Sequence, residues 1–384
     1  MSDRIAPPRL LLRLEAEIAS ARSQLDADCK RAERAAYLAR LGRFEEARNE
    51  LDKLQGRYAK NPNIELSIWT NFAEGVMTYF DNVGAATTDR VQRAYALSVA
   101  AGRNQLRATC AAWLAQWDYS RLDMDALARH VREALAIADP DHHVARSRAC
   151  LVVAQALHLA GRADLAKSWY SRTRFHASVD GDDVTISALM HNMAWLRMLT
   201  MRQTVLLDGQ EDVKSALHAL TYAQSTEDFD EMKGDSSWME LKPILRAQIV
   251  SLQGNPNHAV ALYEEHLATS GAPSRLQANL FADKAWCHIE LGNKSEAIAC
   301  AELARGSLIE ETQIDDRAAA HSRLAQVFAA LGDSAKQSYH FNMARDAWRA
   351  HIQMQLRVVE LLAGMDDRGN DSQSDSPSPK TPPY

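Results

Sequence analysis

Residues 151–170 read LVVAQALHLAGRADLAKSWY and decide the fold class of this chain. Val153 and Leu157, four positions apart around Ala154, form one apolar stripe, which indicates an amphipathic helix. Gly161 follows seven residues after the alanine, and a helix C-terminus favours glycine in the left-handed conformation. A second amphipathic segment, with the small residue Ala166, comes next. The stretch therefore predicts two helices joined by a tight turn.

The same pattern recurs along the chain at nearly even intervals. Residues 281–302 and 322–341 are the other two clear copies, and one alanine marks each unit at separations of 38 to 53 residues. A small residue at this position lets two antiparallel helices approach closely. A period in this range is typical of a solenoid of stacked helix pairs. The marker alanines are Ala35, Ala73, Ala115, Ala154, Ala194, Ala247, Ala285 and Ala325.

Turn residues divide most units into a first and a second helix. A glycine follows seven residues after the marker alanine in five units, at Gly42, Gly161, Gly254, Gly292 and Gly332. Second helices are predicted at 44–59, 88–101, 123–138, 163–177, 210–225, 256–269, 294–308 and 334–362.

The repeats organise the chain into three parts. Residues 1–27 are predicted to form an amphipathic helix that caps the array or leads into it, because a solenoid needs soluble ends. Residues 28–363 form the array itself, and its longest interval predicts an insertion near 200–240. Residues 364–384 contain almost no apolar side chains and are predicted to be disordered.

The best copies resemble the tetratricopeptide repeat family. AGRADLAKSWY at 160–170 and LGNKSEAIACA at 291–301 match its small-residue, glycine and second-helix alanine positions. The resemblance covers about residues 28–350, in units of about 40 residues that are longer than those of the family. It implies an all-α fold, a right-handed α-solenoid of about eight antiparallel helix pairs with a concave groove.

The resemblance also implies that the residue directly after each marker alanine faces the groove. Glutamine occupies this position four times and tryptophan twice, and both side chains suit the recognition of a peptide. Residues one helical turn away extend the same face. The predicted binding residues are Gln116, Tyr119, Arg148, Gln155, His158, His191, Trp195, Gln248, Trp286 and Gln326.

These assignments have plainer alternatives that the sequence leaves open. Glutamine is a good helix former on any exposed surface, and tryptophan at helical spacing is more often part of a core. The acidic segment at 226–240 is either a solvated loop or a docking patch. The tail at 364–384 is either a flexible spacer or a short proline-rich ligand for another domain.

Composition and motifs argue against several classes of function. The net charge of −6 gives no general attraction to nucleic acid or to an anionic membrane, and no apolar run is long enough to span a bilayer. The start of the chain has no apolar core of a signal peptide, so we expect a cytoplasmic protein with reduced cysteines. No nucleotide-binding or hydrolase motif is present, so we expect no enzyme and no cofactor.

We also expect no metal site. His142–His143 and Cys287–His288 are the most clustered candidates, but adjacent residues on a helix point about 100° apart and do not form a chelate. Adjacent carboxylates such as Asp315–Asp316 are expected to be solvated.

Two hypotheses of function follow from the resemblance. The first is a non-enzymatic module that binds a partner protein or peptide in the concave groove. The alternative is a bacterial regulatory sensor, whose groove binds a signalling peptide or small molecule and controls a separate output protein. An enzyme ranks third, because α-solenoids only occasionally carry active sites.

Overall fold

The structure is a computed structural model, and the residues that it describes are 7–81, 88–209, 219–221, 223–225, 228, 242–268, 272 and 274–365. The described part of the chain is all-α: it contains helices and their connecting turns and no β-strand. In this part, no helix is both long and apolar enough to cross a membrane. Its sixteen bounded helices are α1 Arg9–Ala19, α2 Gln24–Arg40, α3 Phe44–Tyr58, α4 Ile64–Asp81, α5 Asp89–Ala100, α6 Asn104–Ser120, α7 Met124–Ile137, α8 His143–Leu159, α9 Ala163–Asp180, α10 Asp183–Asp208, α11 Lys242–Leu252, α12 Pro256–His266, α13 Ser274–Glu290, α14 Lys294–Gly306, α15 Ile314–Leu331 and α16 Ser334–Leu362.

The helix bounds follow the local signals in the sequence. Seven of the eight predicted second helices agree with the structure within three residues at each end, and the eighth, 210–225, lies largely outside the described residues. Gly161 and Gly332 have φ of 73° and 79°, and the other three predicted turn glycines also have positive φ. Side-chain caps begin several helices; for example, Asp123 accepts a hydrogen bond from the Ala126 amide at 3.0 Å.

Consecutive helices pack on each other, and helices two apart also make contact. Thus α2 packs on α3 and α4, α6 on α7 and α8, and α13 on α14 and α15. All eight marker alanines are buried. Their small side chains lie at these close helix contacts, which is the physical reason for the alanine period.

The first helix is shorter than predicted. The helix expected over 1–27 ends at Ala19, because Ser23 caps a new helix by accepting a hydrogen bond from the Asp26 amide at 3.0 Å. Helix α1 packs on α2 and also reaches the turn between α9 and α10, where the Leu10 amide donates to the Gly181 carbonyl at 3.1 Å. Helix α1 therefore contacts the middle of the chain.

The predicted insertion near 200–240 is partly helical. Residues 200–208 continue α10, which is 26 residues long, instead of forming a loop. Val205 and Leu206 pack against two apolar clusters of the C-terminal half, and this burial favours continued helix. Apart from Asp228, the acidic segment 226–240 lies outside the described residues, and so does the tail beyond Met365.

The last helix returns to the middle of the chain. Helix α16 contacts α7 and α8 as well as its neighbour α15. Val358 and Leu362 are buried in the apolar cluster that α6 to α10 form. Farther along, Arg202 of α10 pairs with Asp315 and Asp316 of α15 at 3.3 and 2.9 Å. The contact between α10 and α15 borders a central cavity.

Candidate functional site

The central cavity lies between the inner helices of the two halves of the chain. Helices α6, α8 and α10 line one side, and α11, α13 and α15 line the other. Its volume is about 230 Å³, a size that suits a small ligand or a short segment of a partner. Three of the eight residues that directly follow a marker alanine, Gln116, Gln155 and Trp195, line the cavity.

Six of the ten predicted binding residues line this one cavity. They come from three successive first helices, because the marker alanines of α6, α8 and α10 are buried and the adjacent positions face inward. The six residues are Gln116, Tyr119, Arg148, Gln155, His191 and Trp195.

The other four predicted residues lie elsewhere. His158 is buried between α8 and α9, where its Nδ1 lies 3.0 Å from the Tyr170 hydroxyl. Gln248 is buried within α11. Trp286 and Gln326 both contact Arg323, whose guanidinium lies 5.6 Å from the Trp286 ring centroid and donates to Gln326 Oε1 at 2.9 Å. The structure thus separates these four from the central cavity.

Most of the cavity wall is apolar. Aromatic side chains from α4 and leucines from α8, α10 and α13 form it, so a bound group exchanges water for hydrocarbon. The principal apolar residues are Tyr79, Phe80, Leu159, Leu196, Leu199 and Leu280.

Arg148 is the main charged group on the α8 side. It is buried, and its guanidinium lies 4.1 Å from the Trp113 ring centroid. Nη1 reaches Gln116 Oε1 only at 3.4 Å, and Nε has no hydrogen-bond partner in the described structure. Burial, and then the nearby Arg40, lower the pKa of Arg148 to about 9, so the side chain is still cationic at neutral pH.

Two further polar groups on this side are notable. Gln155 is buried, and its Oε1 accepts no hydrogen bond within the described residues. His191 is partly exposed to the cavity, but desolvation and the nearby Lys242 lower its pKa to about 4. The His191 imidazole is therefore neutral at pH 7 and can both donate and accept a hydrogen bond.

The opposite side carries two carboxylates. Asp315 and Asp316 are buried, which corrects the expectation that this pair is solvated. Both accept from Arg202, and burial followed by the Asp315 charge raises the pKa of Asp316 to about 6. Lys242 and Arg275 also line this side of the cavity, and Arg148 lies across from them.

Sequence reasoning missed the second half of this site. Lys242, Arg275 and the Asp315–Asp316 pair reach the cavity from α11, α13 and α15. One signal was available in the sequence: each of these residues stands at or near the start of a first helix. The repeat register therefore gave them equivalent positions in their units. Nothing in the local pattern indicated that α15 packs against α10.

Two of the four candidate metal ligands, His142 and His143, contact side chains of other helices. Within the described ranges, no group of three or more histidine, cysteine or acidic side chains is placed to hold a metal ion. His143 Nδ1 lies 2.8 Å from His176 Nδ1, and His142 Nε2 lies 3.3 Å from Thr109 Oγ1. Burial raises the pKa of Cys287 to about 12, which keeps it as a thiol.

The cavity thus combines apolar walls with a guanidinium nitrogen of Arg148 and an amide oxygen of Gln155 that have no hydrogen-bond partner among the described residues, which is an arrangement suited to binding. Comparison with protein-family models and with the sequences of curated proteins finds no match for this chain.

Proposed function

We propose that this chain is a non-enzymatic binding module, a right-handed tetratricopeptide-like α-solenoid of about eight antiparallel helix pairs that holds a segment of a partner protein or peptide in its concave groove. One observation carries the proposal. Six residues chosen only from the repeat register line the same cavity. A binding face built from successive repeats is how solenoids recognise their partners.

Trp195 and Trp286 provide a matched test, since both directly follow a marker alanine but only Trp195 lines the cavity. A tagged chain is used to capture partners from the native host, and mass spectrometry identifies them. The binding of each identified partner is then measured with Trp195→Ala and with Trp286→Ala. We expect Trp195→Ala to weaken binding by about 2 kcal/mol, roughly thirtyfold, because buried aromatic anchors dominate such interfaces.

Trp286→Ala serves as the control and is expected to leave binding within a factor of about two, since a residue outside the contact surface contributes little. Circular dichroism checks that both variants are folded. Equal binding by both variants, or equal loss, would contradict the assignment of the cavity.

A regulatory sensor is the second candidate, and the arrangement of the cavity walls favours it. A ligand in the cavity contacts α8 and α10 on one side and α13 and α15 on the other. Such a ligand can bias the distance between the two halves, and that change can control a separate protein. Small-angle scattering with and without a captured peptide tests this candidate: a passive module keeps the same profile, whereas a sensor changes it.

A further inference from the structure

Arg148 differs from every other buried arginine in the described part of the chain. Arg40 pairs with Asp182 at 2.9 Å, Arg202 with Asp316 at 2.9 Å, and Arg323 with Asp283 at 3.1 Å. No described carboxylate lies within ion-pair distance of Arg148. The residue is only 6% exposed, so bulk water solvates its charge poorly.

An unpaired buried cation is costly for the folded protein. Removing a guanidinium from water is strongly unfavourable unless an opposite charge or good hydrogen bonds compensate. The contact with Trp113 and the long hydrogen bond to Gln116 compensate only part of this cost. Asp182, a carboxylate that acts electrostatically on Arg148, is bound by Arg40 and Thr185 at 2.8 to 3.0 Å. Arg148 therefore has no counter-ion among the described residues, and the negative charge of a ligand can serve as one.

The free groups define the chemistry of that ligand. The planar guanidinium of Arg148 matches the two oxygens of a carboxylate, and a single such group suits a monoanion better than a phosphate dianion. Gln155 Oε1 accepts no hydrogen bond in the described structure and needs an N–H or O–H donor. The surrounding aromatic and leucine side chains need an apolar body.

We propose that the cavity binds an apolar organic acid whose carboxylate pairs with Arg148 and whose N–H or O–H donates to Gln155. The acid is either a free small molecule or a group presented by a bound segment of a partner. This inference rests on the proposed function and names the ligand class of the same site. The Asp315–Asp316 pair repels a carboxylate from the α15 side, which orients the acid toward α8.

The first experiment uses the wild-type full chain and needs no variant. Isothermal titration calorimetry compares N-acetylphenylalanine, its neutral amide, phenylpropionate and inorganic phosphate. N-acetylphenylalanine carries all three features, the amide lacks the charge, phenylpropionate lacks the N–H donor, and phosphate lacks the apolar body. We expect the acid to bind about ten- to hundredfold more tightly than its amide, because a hydrogen bond to a charged group typically contributes that much to affinity. We expect phenylpropionate to bind with intermediate affinity and phosphate to bind most weakly.

Arg148→Met provides the second experiment, because methionine fills similar volume without charge. We expect this variant to bind N-acetylphenylalanine about ten- to hundredfold more weakly than wild type. Without ligand it is expected to melt at the same or a higher temperature, since an uncompensated buried charge is removed. The matched control, Arg40→Met, leaves Asp182 unpaired and is expected to melt at a lower temperature.

Several outcomes would overturn the inference. Equal affinity for the acid and its amide, no binding of the acid, or tighter binding of phosphate would each exclude a carboxylate on an apolar body. An Arg148→Met variant that melts below wild type would show that the protein itself compensates the charge. If N-acetylphenylalanine does not bind while binding of a captured partner still depends on Trp195, the proposed function stands and only the assignment of an organic acid as the ligand is excluded. The binding of two peptides, one with a free and one with an amidated C-terminus, is also measured. It distinguishes a carboxylate that belongs to a partner segment from a free small-molecule acid.

Discussion

The buried charges of this protein differ in how well each is compensated, and that difference sets their pKa values. Asp182 accepts two hydrogen bonds from Arg40 and two from Thr185. Burial alone would raise the pKa of Asp182, but these partners lower it below its usual range. Asp316 shares Arg202 with a second carboxylate, and burial and that neighbour raise its pKa to about 6.

The raised pKa of Asp316 predicts the sign of a stability change. Between about pH 4 and pH 6 the folded protein binds a proton at Asp316 that the unfolded chain has released, so this group favours folding at lower pH and loses that effect as the pH rises through 6. We expect Asp316→Asn to raise the free energy of unfolding at pH 7 by about 1–3 kcal/mol and to have less effect at pH 4. Urea denaturation at the two pH values measures this.

Asp182→Asn is the matched control with the opposite sign. The lowered pKa means that the charge of Asp182 stabilises the folded state at neutral pH, and this contribution is lost only as the pH falls through the folded pKa. The substitution leaves Arg40 with a neutral partner and is expected to destabilise by about 3 kcal/mol. A destabilised Asp316→Asn variant at pH 7 would contradict the assignment of its pKa.

At the scale of helix contacts, small residues set how closely neighbouring helices approach. Gly75 lies inside α4, and a Cβ atom added there would overlap Val91 Cγ2 of α5 and lie 3.2 Å from the Val91 backbone nitrogen. Gly56 lies inside α3, and an added Cβ would meet no atom within 4 Å. The same residue type therefore has different roles in two neighbouring helices.

These two glycines predict opposite effects of one substitution. We expect Gly75→Ala to lower the free energy of unfolding by about 1–3 kcal/mol, because an overpacked contact outweighs the better helix propensity of alanine. Gly56→Ala is expected to raise it by about 0.5–1 kcal/mol through propensity alone. Chemical denaturation measures both, and a stabilised Gly75→Ala variant would show that α5 can shift at little cost.

At the scale of the whole molecule, α16 connects the last unit to the middle of the chain. The helix has 29 residues and is roughly 43 Å long, because each residue adds about 1.5 Å. Val358 and Leu362 enter the apolar cluster of α6 to α10, and the Gln355 side chain donates to the Leu159 carbonyl at 2.8 Å. Leu356, on the same helix, is 67% exposed.

Leu356 and Leu362 of α16 test whether this contact holds the last unit against the middle of the chain. We expect Leu362→Ala to destabilise the protein by about 2–3 kcal/mol and to raise the radius of gyration measured by small-angle scattering, because it removes an apolar contact with α7 and α8. Leu356→Ala is expected to stay within about 0.5 kcal/mol of wild type, with an unchanged radius. Equal effects of the two substitutions would show that α16 is not held by this contact.

The sequence by itself determined the helices, their turns and the buried alanine of each unit, because these features depend on neighbours within about one or two helical turns. The repeat register also placed Gln116, Gln155 and Trp195 on a common face. Only the tertiary structure decided that α15 and α16 return to α7, α8 and α10, which brings the Asp315–Asp316 pair across from Arg148. The buried charges of Arg40 and Arg202 are compensated by groups more than a hundred residues away, and no local periodicity encodes such a contact.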